Sequence, residues 1–374
     1  MKIAIFFTYD YSLQGWESSG VLNRELAIYE KLSEVYGLEF IFFTYGDITD
    51  LDLKISNKFK TIPFYSLFKK NTNKYLQLIN SFLIPFKIKK ELQEVDILHQ
   101  HQLHGVWVPI ICKILYRKKL LVRTGYDMHY FSIKDKKNLL IKTFFKFLTY
   151  ISLKVADIYT VTSHEDEKRI LSSYGSIAKN VKLRPNWVKK INLDDLKDRK
   201  KTNILSVGRL VYQKNFDELI KEFKDTKDEY QINIIGEGEQ KDFLIKLAKD
   251  MNVNLNIIGN MSNEELIQVY KKYKYYVSFS LFEGNPKAVL ESMASGCIPI
   301  CSKIPSHTEI VKDNVNGMVF DLEKPELLNV LKYLNENDSV ASELSQNAIE
   351  KVRENNSIEL VSDMMYSDYK ILNS

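Results

Sequence analysis

Two glutamates, Glu283 and Glu291, lie eight residues apart in the segment FEGNPKAVLESMASG (residues 282–296). Pro286 favours the first turn of a helix and Gly296 favours its end, so the sequence predicts a short helix between them. At about 1.5 Å of rise per residue, such a helix separates the two carboxylates by roughly 12 Å. Glycosidases hold their two catalytic carboxyl groups roughly 5 to 9.5 Å apart, which argues against a hydrolytic pair.

The same spacing suits one elongated ligand that is bound at both ends. Between the glutamates, we expect the backbone N–H groups of Asn285, Lys287 and Ala288 to lie exposed at the start of the helix, where anions bind. A molecule with hydroxyl groups at each end and phosphate in its middle is a nucleotide sugar. Taken alone, the spacing also fits an exposed helix whose glutamates contact only water, because charged side chains lie mostly on the surface.

A second segment carries two cations that suit a diphosphate. In LSVGRLVYQKNFDELIKEF (residues 205–223), a predicted strand ends at Gly208, and Arg209 and Lys214 follow before an amphipathic helix. Arginine can bind phosphate through two parallel hydrogen bonds, whereas lysine acts as a point charge. The alternative interpretation is a pair of surface cations.

A third segment, NIIGEGEQKDFL (residues 233–244), again predicts a strand, a turn and a helix. Its turn contains Gly236 and Gly238, and glycines allow the backbone to approach a ligand closely. On its own, this pattern indicates little more than a turn.

Short apolar runs alternate with amphipathic segments along the chain, which is typical of parallel sheets covered by helices. The strand candidates are KIAIFF, LEFIFFTYG, VDILHQH, KLLVRTG and DIYTVTS in the first half, and TNILSVG, QINIIGEG, LNIIGN, YYVSFS and CIPICS in the second. We therefore predict an α/β protein with two doubly wound, Rossmann-like domains. Ligands of such domains bind at the carboxyl ends of the strands.

The charged segment KKINLDDLKDRKKTN (residues 189–203) contains few apolar residues and marks the predicted domain boundary. We place an N-terminal domain in residues 1–190 and a C-terminal domain in residues 200–356. The first residues, MKIAIFFTYD, are interpreted as a strand and not as a signal peptide. With three cysteines and no apolar run of about 18 residues, the sequence favours a cytoplasmic protein.

The charge is unevenly distributed, because residues 1–200 carry a net charge of +12 and residues 201–374 a net charge of −7. Two stretches, residues 58–90 and 134–154, interleave lysines with large apolar residues. They fit either amphipathic helices packed on a sheet or peripheral contact with an anionic membrane. No nucleic-acid recognition motif is present, and the acidic second half would repel a polyanion.

The histidines of HQHQLH (residues 99–104) raise the question of a metal site. Zinc sites also need further ligands at set distances, which this segment lacks, so we expect these histidines to line a loop or the acceptor site. The sequence predicts no metal.

Taken in order, several segments resemble the donor domain of the retaining glycosyltransferases of family 4, which have the GT-B fold. The segments are VTSHEDEKRIL, LRPNWV, VGRLVYQKN, IIGEGEQ, FEGNPKAVLESMASGCIPI and NGMVFD, within residues 155–325. The resemblance implies that Glu291 accepts hydrogen bonds from the ribose hydroxyls and that Glu283 contacts the transferred sugar. Arg209 and Lys214, helped by the backbone of residues 285–287, would neutralise the diphosphate without a metal or another cofactor. Gly208, Gly236 and Gly238, with the loop of residues 257–263, would border the nucleotide.

The first half departs from the family pattern. Members often have two adjacent glycines after the first strand, and Gly20 is our preferred equivalent here. Many members also have a Thr-x-His-Asp run, where this chain reads RTGYDMHYF (residues 123–131). Tyr126 therefore takes the histidine position and Asp127 is retained, although His129 is an alternative for the same role. Residues 357–374 resemble the final helix that crosses back to the first domain.

We therefore predict a retaining hexosyltransferase with its active site in the cleft between the domains. The donor is a nucleotide sugar, with UDP favoured over GDP, and the acceptor is a glycan or a lipid-linked glycan. The abundance of Lys, Ile and Asn suggests an AT-rich microbial genome and hence surface polysaccharide biosynthesis. The alternatives are a non-catalytic protein that binds nucleotide sugars, and an epimerase or hydrolase of the same fold.

Overall fold

The computed structural model describes residues 1–193 and 199–374, and the chain divides into two compact units. Residues 1–184 and 361–374 form the first unit, and residues 185–360 form the second. The division between them therefore precedes the predicted linker, whose residues 194–198 lie outside the described residues.

The first unit, every residue of which is described, is built on a parallel sheet. Its strands are β1 (Lys2–Phe6), β2 (Glu39–Thr44), β3 (Phe59–Pro63), β4 (Ile97–Gln100), β5 (Lys119–Arg123), β6 (Ile158–Val161) and β7 (Val181–Leu183). Their order in the sheet is β3-β2-β1-β4-β5-β6-β7, and every neighbouring pair is parallel. After Lys2, the residues of the central strand β1 are all apolar and buried, as expected for a sheet that helices cover on both faces.

The helices of the first unit follow the strands in the predicted alternation. They are α1 (Leu13–Ser18), α2 (Leu22–Tyr36), α3 (Phe64–Leu67), α4 (Lys74–Ser81), α5 (Ile84–Lys87), α6 (Trp107–Tyr116), α7 (Met128–Lys134), α8 (Leu139–Val155) and α9 (His164–Tyr174). All five predicted apolar runs of this half contain a strand. The structure adds β3 and β7, which the sequence analysis did not predict.

For the basic stretch of residues 58–90, amphipathic helices packed on a sheet were one of two alternatives, and the stretch is only partly helical. Its first residues form β3, where Phe59 and Ile62 are buried and Lys60 is exposed. This strand pairs with β2 and reaches its end at Pro63, which suits an edge position because proline cannot donate a backbone hydrogen bond. The stretch of residues 134–154 is helical over α8, as predicted.

The second unit repeats the architecture with a smaller parallel sheet. Its strands are β8 (Lys200–Val207), β9 (Gln231–Ile235), β10 (Asn254–Ile258), β11 (Tyr273–Ser278), β12 (Ile298–Ser302) and β13 (Met318–Phe320). Within the described residues their order is β10-β9-β8-β11-β12-β13, again with parallel neighbours. The five predicted runs of this half all contain a strand, and the two parallel sheets confirm the predicted α/β class with two Rossmann-like units.

The helices of the second unit cover this sheet. They are α10 (Phe216–Glu222), α11 (Lys241–Asp250), α12 (Asn263–Tyr270), α13 (Lys287–Ala294), α14 (Pro305–Ile310), α15 (Leu327–Glu336) and α16 (Asp338–Asn356). Among residues 1–193 and 199–374, no helix combines the length and the apolar character needed to cross a bilayer.

The final helix, α17 (Ile358–Asn373), belongs to the first unit from residue 361 onward. Its buried Asp368 accepts hydrogen bonds from Lys182 Nζ at 2.8 Å and from Arg184 Nε at 2.7 Å. The next residue, Tyr369, is also buried, and its hydroxyl lies 2.6 Å from His99 Nδ1. These contacts fix the end of the chain to β4 and to the residues around β7.

We expect Asp368→Asn to lower the free energy of unfolding of the first unit by about 2 kcal/mol, because it removes the buried charge that compensates two cations. Urea unfolding, monitored by circular dichroism, measures the loss. The matched control is Asp363→Asn on the same helix. Asp363 is exposed and accepts one hydrogen bond from the Tyr36 hydroxyl, so the control should cost no more than about 0.5 kcal/mol. Equal losses in the two variants would contradict the expected role of Asp368.

Candidate functional site

The strand order of the second sheet changes direction between β8 and β11, its two central strands. The chain after β8 leads to β9 on one side, whereas the chain after β11 leads to β12 on the other. The loops at the carboxyl ends of β8 and β11 therefore diverge, and such switch points are where α/β proteins bind ligands. Arg209 and Lys214 follow β8, and Glu283 follows β11.

Lys214 and Glu283 form an ion pair between these two loops. Their side chains are 17% and 11% exposed, so most of the pair is removed from water. The carboxylate of Glu283 also accepts hydrogen bonds from Ser280 Oγ at 2.8 Å and from Gln213 Nε2 at 3.3 Å. With three donors, Glu283 has its charge compensated and its orientation fixed.

The Lys214 ammonium decides the ionisation of Glu283. Burial by itself raises the pKa of this carboxyl, but the charge and the hydrogen bond of Lys214, with smaller contributions that include the Ser280 hydrogen bond, together lower the pKa below its ordinary value. Glu283 is therefore an anion at neutral pH and accepts hydrogen bonds without donating any.

A buried histidine supports the loop that carries Glu283. His307, in α14, has its Nδ1 2.9 Å from the Ser302 carbonyl oxygen and its Nε2 3.3 Å from Ser278 Oγ. Ser302 Oγ in turn donates to the Ser280 carbonyl at 2.6 Å. Because Ser278 ends β11 and Ser302 ends β12, this network joins the carboxyl ends of two strands beneath Glu283.

Two glycines let the loops after β8 and β9 touch. A Cβ atom at Gly236 would lie 2.1 Å from the Gly208 carbonyl oxygen, and one at Gly238 would lie 2.4 Å from the Leu210 carbonyl oxygen. Any larger residue at position 236 or 238 would push the two loops apart, because the carbonyl oxygens of Gly208 and Leu210 belong to the backbone and cannot rotate away as a side chain can. A Cβ at Gly208 would in turn meet the Lys214 side chain at 2.8 Å. The structure thus brings together Gly208, Lys214, Gly236 and Gly238 as one surface.

Arg209 differs from Lys214 in its surroundings. Its side chain is exposed at the same carboxyl end of β8 and forms no ion pair with any described residue. The loop beneath it is fixed, because Gly208 N donates to the Ile235 carbonyl at 3.0 Å and Leu210 N donates to the Glu237 carbonyl at 2.9 Å. The guanidinium of Arg209 is therefore available to a ligand from a well-held backbone.

Glu291 lies on the buried side of α13 and is 4% exposed. Its carboxylate accepts a hydrogen bond from Asn263 Nδ2 at 3.1 Å. Asn263 is the first residue of α12, and it belongs to the predicted nucleoside loop of residues 257–263. The alternative in which both glutamates only contact water is therefore wrong, since neither of them lies on an exposed helix face.

The start of α13 agrees with the prediction in position but not in every detail. Pro286 precedes the first helical residue, Lys287, and Gly296 follows the helix with a positive φ of 79°. Asn285, expected to be exposed, is buried, and its side-chain and main-chain oxygens both accept hydrogen bonds from Asn186. The Lys287 ammonium lies 4.7 Å from the centre of the Trp187 ring. The segment that leads into the second unit therefore holds this helix start.

The remaining predicted site residues lie in the first unit. Gly20 follows α1 with a positive φ of 70°. Asp127 is buried and caps α7 by accepting a hydrogen bond from Tyr130 N at 3.1 Å. Tyr126 is 38% exposed and packs on Phe131, and burial lowers the pKa of His129.

The histidines of residues 99–104 are dispersed among aromatic partners. His99 contacts Tyr369, His101 lies 3.0 Å from the Tyr29 hydroxyl, and His104 packs edge-on against Trp107. In the described part of the chain, no group of three or more His, Cys, Asp or Glu side chains is arranged to hold a metal ion. These histidines therefore pack within the first unit.

Two donors to Glu283 and the histidine that supports its loop were not predicted from the sequence. Gln213 stands within the quoted segment VGRLVYQKN and Ser280 ends the predicted strand YYVSFS, and their polar side chains were the signal that could have found them. His307 lies 24 residues after Glu283 in a different helix, and only the fold brings it to the site.

We expect the stability of the second unit to fall with acid partly through His307, which faces Glu283 and Lys214. Burial lowers its pKa from 6.5 to about 4, so the unfolded chain binds a proton between these values and the folded chain does not. Stability therefore falls as pH decreases in this window, by at most about 1.4 kcal/mol per pH unit. Urea unfolding of the wild type and of His307→Gln across the window measures the difference in slope. The control is His164→Gln at an exposed helix start, and a slope unchanged by His307→Gln would contradict the assignment.

Residues 189–354 match the family of glycosyl transferases group 1. A relative from Campylobacter jejuni, N-acetylgalactosamine-N,N'-diacetylbacillosaminyl-diphospho-undecaprenol 4-alpha-N-acetylgalactosaminyltransferase, is 24% identical over 59% of this chain. That match spans 62% of the length of the Campylobacter protein.

Two further proteins cover more of the chain. UDP-Gal:alpha-D-GlcNAc-diphosphoundecaprenol alpha-1,3-galactosyltransferase of Escherichia coli is 24% identical over 73% of this chain and 74% of its own. The crystal structure of Anabaena Alr3699/HepE in complex with UDP has a TM-score of 0.76 at 13% identity and covers 99% of this chain and 100% of that chain. Residues 189–354 are therefore similar to the group 1 glycosyl transferases, and the whole chain has the α/β GT-B fold.

Proposed function

We propose that this protein is a retaining hexosyltransferase that moves a sugar from a nucleotide sugar, with UDP favoured over GDP, to a glycan or lipid-linked acceptor. The observation that carries the proposal is the Lys214–Glu283 ion pair beside the exposed Arg209 at the switch point of the second sheet. An exposed arginine and a fixed carboxylate stand on neighbouring loops there.

Arg209 and Lys214 bind the diphosphate of the donor. When the bond between the anomeric carbon and the phosphate oxygen breaks, its electron pair stays on the diphosphate. The two cations stabilise that charge, as a metal ion does in other transferases. The N-terminal end of α13, with Asn285, Pro286 and Lys287, supplies further positive potential. No metal or other cofactor is needed for this step.

Glu283 binds hydroxyl groups of the transferred sugar. As a mostly buried anion it accepts strong hydrogen bonds, and Lys214 keeps it ionised at neutral pH. The acceptor oxygen attacks the anomeric carbon on the face that the diphosphate leaves, and the acceptor proton passes to the departing phosphate oxygen. Retention of configuration follows from attack on that face.

Glu291 binds the ribose hydroxyls at the other end of the donor. Its carboxylate is held by Asn263, at the start of α12 and beside the loop after β10. Gly208, Gly236 and Gly238 leave room for the nucleotide against the loops after β8 and β9. In the first unit, Gly20, Asp127 and either Tyr126 or His129 serve the sugar and the acceptor.

The printed activities of the relatives support a lipid-linked acceptor. The Campylobacter and Escherichia coli proteins are both named as transferases to sugars on diphosphoundecaprenol, and the latter uses UDP-Gal. The UDP bound by Alr3699/HepE supports a uridine donor. We infer a role in surface polysaccharide biosynthesis at the cytoplasmic side of the membrane.

We expect a UDP-sugar to raise the melting temperature in a thermal-shift panel of UDP-, GDP- and ADP-sugars, because a ligand of the folded state stabilises it. Arg209→Ala and Glu291→Ala should each weaken binding about 10-fold or more, since each removes a charge-assisted contact. The control Arg353→Ala, an exposed arginine of α16, should leave the shift unchanged. A shift of equal size in all three variants would contradict the assigned site.

We expect Glu283→Gln to lower kcat about 100-fold or more while nucleotide affinity changes little, because the change removes charge from the sugar contact and keeps its shape. Transfer of labelled sugar into lipid-linked acceptors, extracted from bacterial membranes, measures kcat. Glu343→Gln, an exposed glutamate of α16, is the control. Unchanged turnover in Glu283→Gln would contradict the role of Glu283, and release of free sugar and nucleotide without acceptor would indicate a hydrolase instead.

A further inference from the structure

The first unit exposes a concentrated set of large apolar side chains in two short segments. The first segment lies in and after α4, with six such residues: Tyr75, Leu76, Ile79, Phe82, Leu83 and Phe86. The second lies in α8, also with six: Leu139, Leu140, Ile141, Phe144, Phe147 and Tyr150. The whole second unit, over its described residues, has five, and these are scattered. Contiguous apolar exposure of this kind marks an interaction site.

Helix α8 shows why these residues are not part of the core. Its inner face buries Leu148, Ser152 and Leu153. On the opposite face, at helical spacing, stand Leu140 and Phe147, which are 81% and 60% exposed. A surface helix of a globular protein is normally polar on that side, so the outer face of α8 is apolar for a reason other than folding.

Trp107 connects the two segments into one surface, here named the apolar face. The Phe82 ring stacks on the Trp107 ring with centroids 5.5 Å apart, and the Phe144 ring lies 6.4 Å from the same ring. The indole of Trp107 is itself fixed, because its Nε1 donates to Ser81 Oγ at 2.8 Å. The apolar face is therefore held by the core of the first unit.

The two stretches of sequence that carry the apolar face are rich in lysine. Residues 58–90 contain eight lysines and no acidic residue, and residues 134–154 contain six lysines and one aspartate. Among the exposed ones, Lys87, Lys89, Lys90 and Lys146 pair with no carboxylate in the described part of the chain. This combination repels a second copy of the same surface, because lysines would then face lysines. It complements a partner that is anionic outside and apolar beneath.

We propose that the apolar face docks on the surface of a membrane that contains anionic phospholipid, with its large side chains among the acyl chains and its lysines at the phosphate groups. The proposal deepens the proposed function, because it places the enzyme where lipid-linked acceptors are found. Its test needs neither donor nor acceptor, so it can fail or succeed independently of the transferase assignment.

Vesicle sedimentation of the full-length protein tests this docking. We expect binding to vesicles of phosphatidylcholine with phosphatidylglycerol, weak binding to phosphatidylcholine alone, and a loss of binding as salt increases. The double variant Leu140→Ser, Phe147→Ser should bind the vesicles at least about 10-fold more weakly than the wild type. The matched control is Phe243→Ser, Ile245→Ser in α11, two side chains of similar exposure in the second unit, and it should bind as the wild type does.

A charge series completes the test. Lys87→Gln, Lys89→Gln and Lys90→Gln should weaken binding roughly fivefold per substitution. The control substitutions are Lys224→Gln, Lys227→Gln and Lys249→Gln, which are exposed in the second unit and should have no effect. Circular dichroism and the melting temperature without ligand should be the same in all variants, since the fold does not change.

Three results would overturn the proposal. The first is that the wild type sediments with neither kind of vesicle. The second is that the Leu140, Phe147 double variant and its control sediment equally. The third is that the wild type self-associates through this face and does not bind vesicles. Light scattering of the wild type and of the double variant measures their molecular masses and so detects self-association through this face.

Discussion

The ion pair between Lys214 and Glu283 is the constraint around which the second unit is organised. Its partners stand 69 residues apart in the chain, and they meet because β8 and β11 are parallel neighbours whose loops leave the same edge of the sheet. Removing two charges from water is costly, and mutual attraction alone rarely compensates for it. Ser280 and Gln213 supply the additional hydrogen bonds to the carboxylate, and neutral His307 fixes the strand ends beneath it.

The loop after β8 is held from its other side by backbone contact. Gly236 and Gly238 allow the loop after β9 to approach the Gly208 and Leu210 carbonyl groups more closely than any side chain would permit. The two cations of this loop are consequently used in different ways. Lys214 pairs with Glu283 and lowers its pKa, in addition to its proposed contact with the diphosphate, whereas Arg209 is exposed to solvent. A site arranged like this is already organised for an anionic ligand, which limits the reorganisation needed on binding.

The first unit uses the same architecture for a different purpose. Its sheet is covered on both faces, and α17 is fixed to it through Asp368 and Tyr369. The hydrophobic core of the first unit is therefore complete without the exposed apolar side chains. The apolar face of α4 and α8 is additional to that core. Because Trp107 contacts both the core and this face, the exposed aromatic residues rest on a rigid base.

The sequence by itself determined the fold class, since apolar runs of strand length separated by amphipathic helices have few packing solutions. It also located Arg209, Lys214, Glu283 and Glu291, because these stand in local motifs at strand ends and a helix start. It did not reveal β3, β7 and β13, which are edge strands with weak apolar patterns. Only the tertiary structure decided that Glu291 is buried against Asn263, that Glu283 pairs with Lys214, and that His307 supports it. Those contacts join residues far apart in the chain, and such contacts depend on strand order, which local periodicity does not encode.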